Sequence, residues 1–470
     1  MIRLVTCVLG ILVAVPYVSS AGEPDSTQLC IDAASTIEGK LSCIPGVEFS
    51  AVNPDPTLEV GIKQFEIQFE QPVDHGDAAL GTFKQKLVLL HRADSEPMVL
   101  QTSGYSIFGV RETAIMTRFG TNQIQIEHRF FSGSTPAAKD WRKLNIKQSA
   151  DDFHRITVEF QKIYKKPWVG TGASKGGMTS VYHRYFYPND LTGTVADVAP
   201  LSFSTNDERY IEFVENAGGP AYAACRTRFK QLQRRLLEHR DEITPTIGGS
   251  FQQLGSADIA FEHAVIESHF IFWQYSNPLD RDVGCSQIPE NGTASEMFQY
   301  LDKVNKISGY ADSDLQGFLS YFFQAATQLG NPANVTSHLQ DLRRFDFNID
   351  QYTPKGVQYS YSNEDMLMVK NWVENTAEHV MFVYGEFDPW SAGAFPQGRS
   401  ANDMHHFLVK AGNHSSKFTL LDSSHRTQAE DVLKIWLNKS PVTVNVPFMA
   451  GRPNEDLETL EFRVRRVRHL

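Results

Sequence analysis

A chain of 470 residues, 41 % hydrophobic and 21 % charged, is long enough for roughly two or three domain-sized units and too apolar for disorder to be its default. Its formal net charge of −11 argues against the basic face that nucleic-acid binding needs. The same charge fits attraction of cationic groups such as the amino end of a peptide.

Residues 1–22 read as a secretory signal peptide. Arg3 is their only charge, 4–15 form an apolar run too short to span a bilayer, and Val18-Ser19-Ser20-Ala21 offers small residues for cleavage. No later stretch is long and apolar enough for a membrane span, so an exported, soluble protein is expected. Cys7 leaves with the signal, and Cys30, Cys43, Cys225 and Cys285 remain. An even number in an exported chain points to disulfides, with three possible pairings. Cys30–Cys43 and Cys225–Cys285 are expected, because each pair lies within one apparent structural unit. None of these cysteines has the spacing of a zinc knuckle. Sequons stand at Asn291, Asn334, Asn413 and Asn438.

Residues 62–69 alternate apolar and polar side chains as a half-buried strand does, and 82–90 return after the turn Gln71-Pro72-Val73-Asp74-His75-Gly76, an antiparallel pair. Further strands are expected over 97–105 and 122–127. A helix follows over 149–165, capped by Ser149 with Asp152 three residues on. Lys165-Lys166-Pro167-Trp168-Val169-Gly170-Thr171-Gly172-Ala173-Ser174-Lys175-Gly176-Gly177-Met178 then reads as a buried strand, a Gly-x-Ser-x-Gly turn and the start of a helix. That pattern fits a nucleophile elbow, in which a strained turn lifts a serine hydroxyl above a sheet and side chains two residues either side would collide with neighbouring elements. One more strand is expected over 192–200.

From about 204 to 344 the pattern is almost wholly helical, with amphipathic stretches at 209–215, 226–242, 259–275, 295–306 and 315–329. Strands resume at 378–385 and 405–409 and a helix at 427–437, and 442–446 and 460–467 read as late strands or a basic tail. Strands alternating with helices argue an α/β fold with a mainly parallel sheet. The resumption of the sheet pattern favours an inserted helical cap over an independent second domain. The expected architecture is an α/β-hydrolase core over 23–203 and 356–470 with a cap over 204–355.

A serine nucleophile needs a general base, and the base needs an orienting carboxylate. Ser174, Asp388 and His414 each follow a predicted strand and so fall on one sheet edge, in the chain order α/β-hydrolases use. His425, His405 and His406 compete for the base role and rank below His414. A glycan on Asn413 would crowd the same mouth, so this sequon is expected to stay bare. The oxyanion needs two preorganised N–H donors. Lys175 supplies one from its backbone, and the Ser103-Gly104-Tyr105 loop supplies the other through Tyr105, with Gly104 as runner-up. The Lys175 side chain is expected to reach solvent. No cofactor is expected and no metal site stands out: His128 with His154 and His263 with His269 are the strongest pairs, and each reads better as packed or solvated.

With these residues in hand, Thr171-Gly172-Ala173-Ser174-Lys175-Gly176-Gly177-Met178 resembles the nucleophile motif of the secreted prolyl tri- and tetrapeptidyl aminopeptidases, a family of serine peptidases. Phe69-Glu70-Gln71-Pro72-Val73-Asp74-His75, Thr82-Phe83-Lys84-Gln85 and Glu127-His128-Arg129-Phe130-Phe131 are similar both to that family and to the prolyl carboxypeptidase and dipeptidyl-peptidase group. Lysine after the serine points to the aminopeptidases. The resemblance implies an exopeptidase that releases short peptides, often after proline, from a free amino end. It carries over Ser174 as nucleophile, Asp388 as orienter and His414 as base. Such an enzyme must fix an α-ammonium at a set distance from the serine; Glu127 is the first candidate, followed by Asp207, Glu208, Glu212 and Glu215. Trp273 and Tyr275 are candidates to flank a proline ring. The rival readings are a carboxyl-end peptidase or dipeptidyl-peptidase, an esterase or lipase of the same fold, and a hydrolase-like binding protein. Oligomeric state is not legible.

Overall fold

The computed structural model describes residues 25–442, in two units divided between Pro45 and Gly46. The first holds helices α1 (Ser26–Ala33) and α2 (Ile37–Ser42). Asp25 caps α1 by accepting from Thr27 N, Thr36 caps α2 by accepting from Gly39 N, and the Cys30–Cys43 disulfide ties the two together.

The second unit is built on nine strands: β1 (Val47–Val52), β2 (Lys63–Pro72), β3 (Thr82–His91), β4 (Met98–Thr102), β5 (Asn122–Ile126), β6 (Trp168–Ala173), β7 (Gly193–Asp197), β8 (Val380–Gly385) and β9 (Met404–Val409). They lie in the order β1-β2-β3-β5-β4-β6-β7-β8-β9. The β1, β2 and β3 side is antiparallel, and from β5 to β9 every pairing is parallel. The helices that follow in chain order are α3 (Ala114–Phe119), α4 (Ile146–Phe160), α5 (Lys175–Phe186), α6 (Arg209–Asn216), α7 (Ala223–Glu238), α8 (Arg240–Ile243), α9 (Ala257–Tyr275), α10 (Ala294–Val304), α11 (Asp312–Leu315), α12 (Leu319–Gln324), α13 (Glu364–Asn375) and α14 (Ser423–Leu437).

Alternation along the parallel strands serves two cores, because successive side chains of a strand point to opposite faces. Val195, Met381 and Val383 pack with Leu433 and Trp436 of α14. Their neighbours Ala196, Val380 and Phe382 pack with Val181 of α5 and Val369 and Val373 of α13. All six residues of β8 are buried, which explains why its sequence is a continuous apolar run rather than an alternating one.

Among the described residues, the chain from β7 to β8 contains helices and no strand. Its core draws Phe229 and Leu232 from α7, Phe261, Val265 and Trp273 from α9, and Met297 and Leu301 from α10, and it continues onto Phe387 and Trp390 of the loop after β8. The Cys225–Cys285 bridge lies within this layer.

Several boundaries moved. The helix expected over 149–165 begins at Ile146, capped by Asn145, whose side chain accepts from Gln148 N at 3.0 Å. The Ser149 hydroxyl instead donates back to Asn145 O, a bond available only inside a helix. The stretch 315–329 breaks into α11, α12 and a π-turn over Ala325–Leu329. Neither β1 nor α13 was expected: β1 is a half-exposed edge strand without clean alternation, and α13 has a weakly amphipathic sequence. The signal segment 1–22 and the late strands at 442–446 and 460–467 lie outside the described residues, Val442 apart. No helix among the described residues is long and apolar enough to cross a membrane.

Candidate active site

Ser174 sits between β6 and α5 with φ +54° and ψ −128°, a conformation an L-residue holds only where its surroundings force it. The forcing is visible on both sides. A Cβ on Gly172 would stand 2.4 Å from the Gly176 carbonyl, and one on Gly176 would stand 2.4 Å from Thr102 O. The turn is fixed from below by Ser174 N, which donates to Asp197 O at 2.9 Å.

Asp388 follows β8 and is wholly buried. Its Oδ1 accepts from Trp390 N at 3.1 Å, and its Oδ2 accepts from His414 Nδ1 at 2.7 Å. Burial pushes the Asp388 carboxyl up from its ordinary value, while the His414 contact and the Trp390 amide pull it down. His414 follows β9, is 8 % exposed, and is held by its own N–H donating to Gln274 O of α9 at 2.9 Å, with the rings of Tyr275 and Trp390 about it. With Nδ1 bonded to Asp388, Nε2 is the nitrogen left to take a proton. It has no hydrogen-bond partner among the described residues, and it shares a cavity of about 230 Å³ with Ser174. Closure of the serine hydroxyl onto the base commonly completes only when substrate binds.

The loop after β4 lies against this turn: a Cβ on Gly104 would fall 2.5 Å from Gly176 N. The Lys175 side chain does not reach solvent as expected. It is 2 % exposed, its Nζ donates to Gly104 O at 2.6 Å, and the Tyr105 and Phe131 rings lie beside it. The loop covering the elbow closes off the route to water, and burial pushes the Lys175 ammonium well below the ordinary lysine range. Because C=O and N–H of a trans peptide point opposite ways, this bond also fixes the direction of the Tyr105 N–H. That N–H lies 3.3 Å from Ser103 Oγ.

Other candidates are not brought to the site. Glu127 is buried outside the cavity lining, accepting from Ile107 N at 3.0 Å, Ser134 N at 3.2 Å and Ser134 Oγ at 2.8 Å. It is a staple between two loops, because its backbone ends β5 and the chain turns over it. Asp207 pairs with Arg209 and Glu215 with Lys230, while Glu208 and Glu212 are exposed. Trp273 is packed in the helical core against Tyr222 and Phe387; Tyr275 does line the cavity. His425 pairs with Asp422, and His405 with Asp403, away from Ser174. Asn413 Nδ2, the atom a glycan would be attached to, donates to Tyr275 O at 3.0 Å. His154 and His183 share Asp190, and His263 meets Tyr352. Among the described residues no three metal-ligating side chains cluster.

The sequence reading missed most of the cavity wall. Phe318 and Tyr321, next to Tyr105, come from a stretch expected to be plain helix, and Glu267 supplies the one carboxylate among the described lining residues. Trp390 Nε1, Gln274 Oε1 and Gln125 Oε1 are buried atoms of lining residues without a hydrogen-bond partner among the described residues.

Residues 31–467 match the family described as PS-10 peptidase S37. The chain belongs to that family. This S37 chain is accordingly a serine peptidase. It is 35 % identical over 432 residues to the prolyl tri/tetrapeptidyl aminopeptidase of Streptomyces mobaraensis, covering 89 % of this chain and 88 % of that protein. It is 28 % identical over 194 residues to the lysosomal Pro-X carboxypeptidase of Mus musculus, 37 % of this chain and 39 % of that one. Among solved structures it is similar to the proline iminopeptidase of Mycobacterium smegmatis, with 13 % identity and a TM-score of 0.36, over 78 % of this chain and 99 % of that one.

Beneath the S37 peptidase's elbow lies a pH-sensitive group. Asp197 Oδ1 is buried without a hydrogen-bond partner among the described residues, and burial pushes the carboxyl up to about 7 against the pull of Lys417. An acid whose folded pKa exceeds its unfolded value of about 4 is disfavoured once ionised. The penalty is absent below about pH 4, grows between pH 4 and 7, and is complete above about 7. Asp197→Asn is therefore expected to raise stability by roughly 1–3 kcal/mol at pH 8 and to change it little at pH 4. Denaturation midpoints at the two pH values check this; an equal effect at both would contradict it.

Proposed function

We propose that this S37 peptidase is an exported exopeptidase that releases tri- and tetrapeptides ending in proline from the free amino end of its substrates. Ser174 Oγ attacks the scissile carbonyl as His414 Nε2 takes its proton, and Asp388 holds the Nδ1–H and stabilises the imidazolium. The backbone N–H groups of Lys175 and Tyr105 receive the oxyanion, the latter aimed by the Lys175–Gly104 bond. His414 returns the proton to the leaving amine, and water then cleaves the acyl-enzyme by the same route. Residues 204–355 act as the cap over the cleft, with Tyr105, Phe318 and Tyr321 as the aromatic wall for a proline ring. Two disulfides support the exported state.

One observation carries the choice of peptide over ester or lipid. The buried polar atoms of Trp390, Gln274 and Gln125 have no hydrogen-bond partner among the described residues, and a peptide backbone supplies the donors and acceptors they need. An acyl chain would leave them unsatisfied, at a cost sites of this kind do not tolerate. The test compares a proline-terminated tripeptide anilide with its N-acetyl derivative. The free-amine substrate is expected to react at least about 100-fold faster in kcat/KM, the scale of a buried charged contact. Faster cleavage of the blocked peptide, or release of a single carboxyl-terminal residue from a longer one, would overturn the amino-end reading.

A further inference from the structure

Helix α9 is enclosed almost all round. Between Ala260 and Gln274 every residue is buried except Glu267, and Glu267 lines the cavity that holds Ser174 and His414. Gln274 and Glu267 are seven residues apart, close to two helical turns, so both project from one face of α9 and both line the cavity. The two ends of this face have different surroundings. At Gln274 the helix is fastened to the proposed base, since His414 N donates to Gln274 O at 2.9 Å. At Glu267 the Tyr310 hydroxyl donates to Oε2, and Asn305 Nδ2 donates to that hydroxyl at 2.8 Å and to Ala264 O at 2.9 Å. The carboxylate is thereby oriented by a relay of buried polar groups in a wall otherwise rich in aromatic rings.

We infer that Glu267 receives the substrate's free α-ammonium, and that α9 acts as a ruler favouring release of three residues over two or four. The inference rests on the amino-end reading above and names the residue that would enforce it. Seven residues of α-helix rise about 10 Å, and three residues of extended chain span about 10 Å. A carboxylate two turns up from the helix end that holds the base therefore meets the amine of a tripeptidyl unit whose last carbonyl lies at Ser174. A dipeptide falls short by one residue, and a fourth residue has to bend to be accommodated. The carboxylate offers the ammonium a charge-assisted bond in a poorly solvated wall, and an N-acetyl group can offer neither charge nor three donors.

The experiment measures kcat/KM for di-, tri- and tetrapeptide anilides ending in proline, each with a free and an acetylated amine. Wild-type enzyme is compared with Glu267→Gln and Tyr310→Phe. In Glu267→Gln the free-to-acetylated ratio is expected to fall roughly 10- to 100-fold and the tripeptide preference to flatten. Tyr310→Phe, which removes only the orienting hydroxyl, is expected to lower the ratio by about 3- to 10-fold and gives the answer if the first variant fails to fold. A wild type that favours the free amine, with variants that favour it equally, overturns the role of Glu267 and leaves the amino-end reading standing. A wild type indifferent to acetylation overturns both.

Discussion

Replacing Ser174 by Ala is expected to lower kcat/KM by about 10⁴- to 10⁶-fold while leaving the fold in place. The removed hydroxyl is held above the sheet by a backbone that Gly172 and Gly176 make possible, and the β-carbon of alanine occupies the same space, so the strain at φ +54° is unchanged. His414→Ala is expected to cost about as much as Ser174→Ala, and the double variant no more than either alone, because the proposed mechanism makes both one proton-transfer unit. Asp388→Asn should cost about 10⁴-fold by another route. An amide at 388 presents a donor or a weaker acceptor to His414 Nδ1, so the tautomer with a free Nε2 lone pair loses its support. Single-turnover rates and labelling by a fluorophosphonate read these out: wild type should be labelled at Ser174 and Ser174→Ala should not. Labelling that persists in the Ser174→Ala protein would place the nucleophile elsewhere.

The second large effect is on stability. Asp152, on α4, and Arg129 are both wholly buried and form a two-pronged ion pair, Nε to Oδ2 and Nη2 to Oδ1, each at 2.7 Å. The guanidinium also donates to the carbonyls of Pro72, Val73 and Lys143, and His75 Nε2 lies 2.7 Å from Asp152 Oδ1. Gln71 Nε2 donates to Asp152 O at 3.0 Å and to Gln85 Oε1 at 2.9 Å, and Gln85 Nε2 donates to Glu127 O at 2.8 Å. Asp152→Ala leaves the Arg129 charge buried without a counter-ion and is expected to cost about 3–5 kcal/mol. Arg142→Ala, which breaks the Arg142–Asp140 pair at a side chain 86 % exposed, should leave the midpoint nearly unchanged, because water screens an exposed pair. Denaturant midpoints compare the two, and adding Arg129→Met to Asp152→Ala should recover part of the loss. Equal effects from the buried and the exposed pair would contradict the assignment.

This network accounts for segments the sequence had marked without explaining. The motifs around Gln71 to His75, Thr82 to Gln85 and Glu127 to Phe131 suggested function by resemblance, and Glu127 stood first among candidates for holding an amine. In the fold they are one clamp, fastening the β2–β3 turn and α4 to the loop after β5. Residues a clamp of this kind requires are as restricted as those of an active site, so the sequence alone does not separate the two.

What the sequence by itself determined is what depends on neighbours along the chain. The elbow at Gly172 to Gly176, the strand-then-loop placement of Asp388 and His414 and the helical character of the stretch between β7 and β8 all follow from local pattern, because a strand end puts its next residue on a known sheet edge whatever else packs nearby. What only the tertiary structure decided is which side chain of an enclosed element faces the cleft. Helix α9 is apolar almost all round, so no periodicity told Glu267 from Glu262, which pairs with buried Arg240. The Lys175 side chain was likewise unreadable, since its burial depends on the Gly104 loop, seventy-one residues earlier in the chain, folding over the first turn of α5. Both outcomes are set by long-range packing and desolvation rather than by the residue's own neighbours.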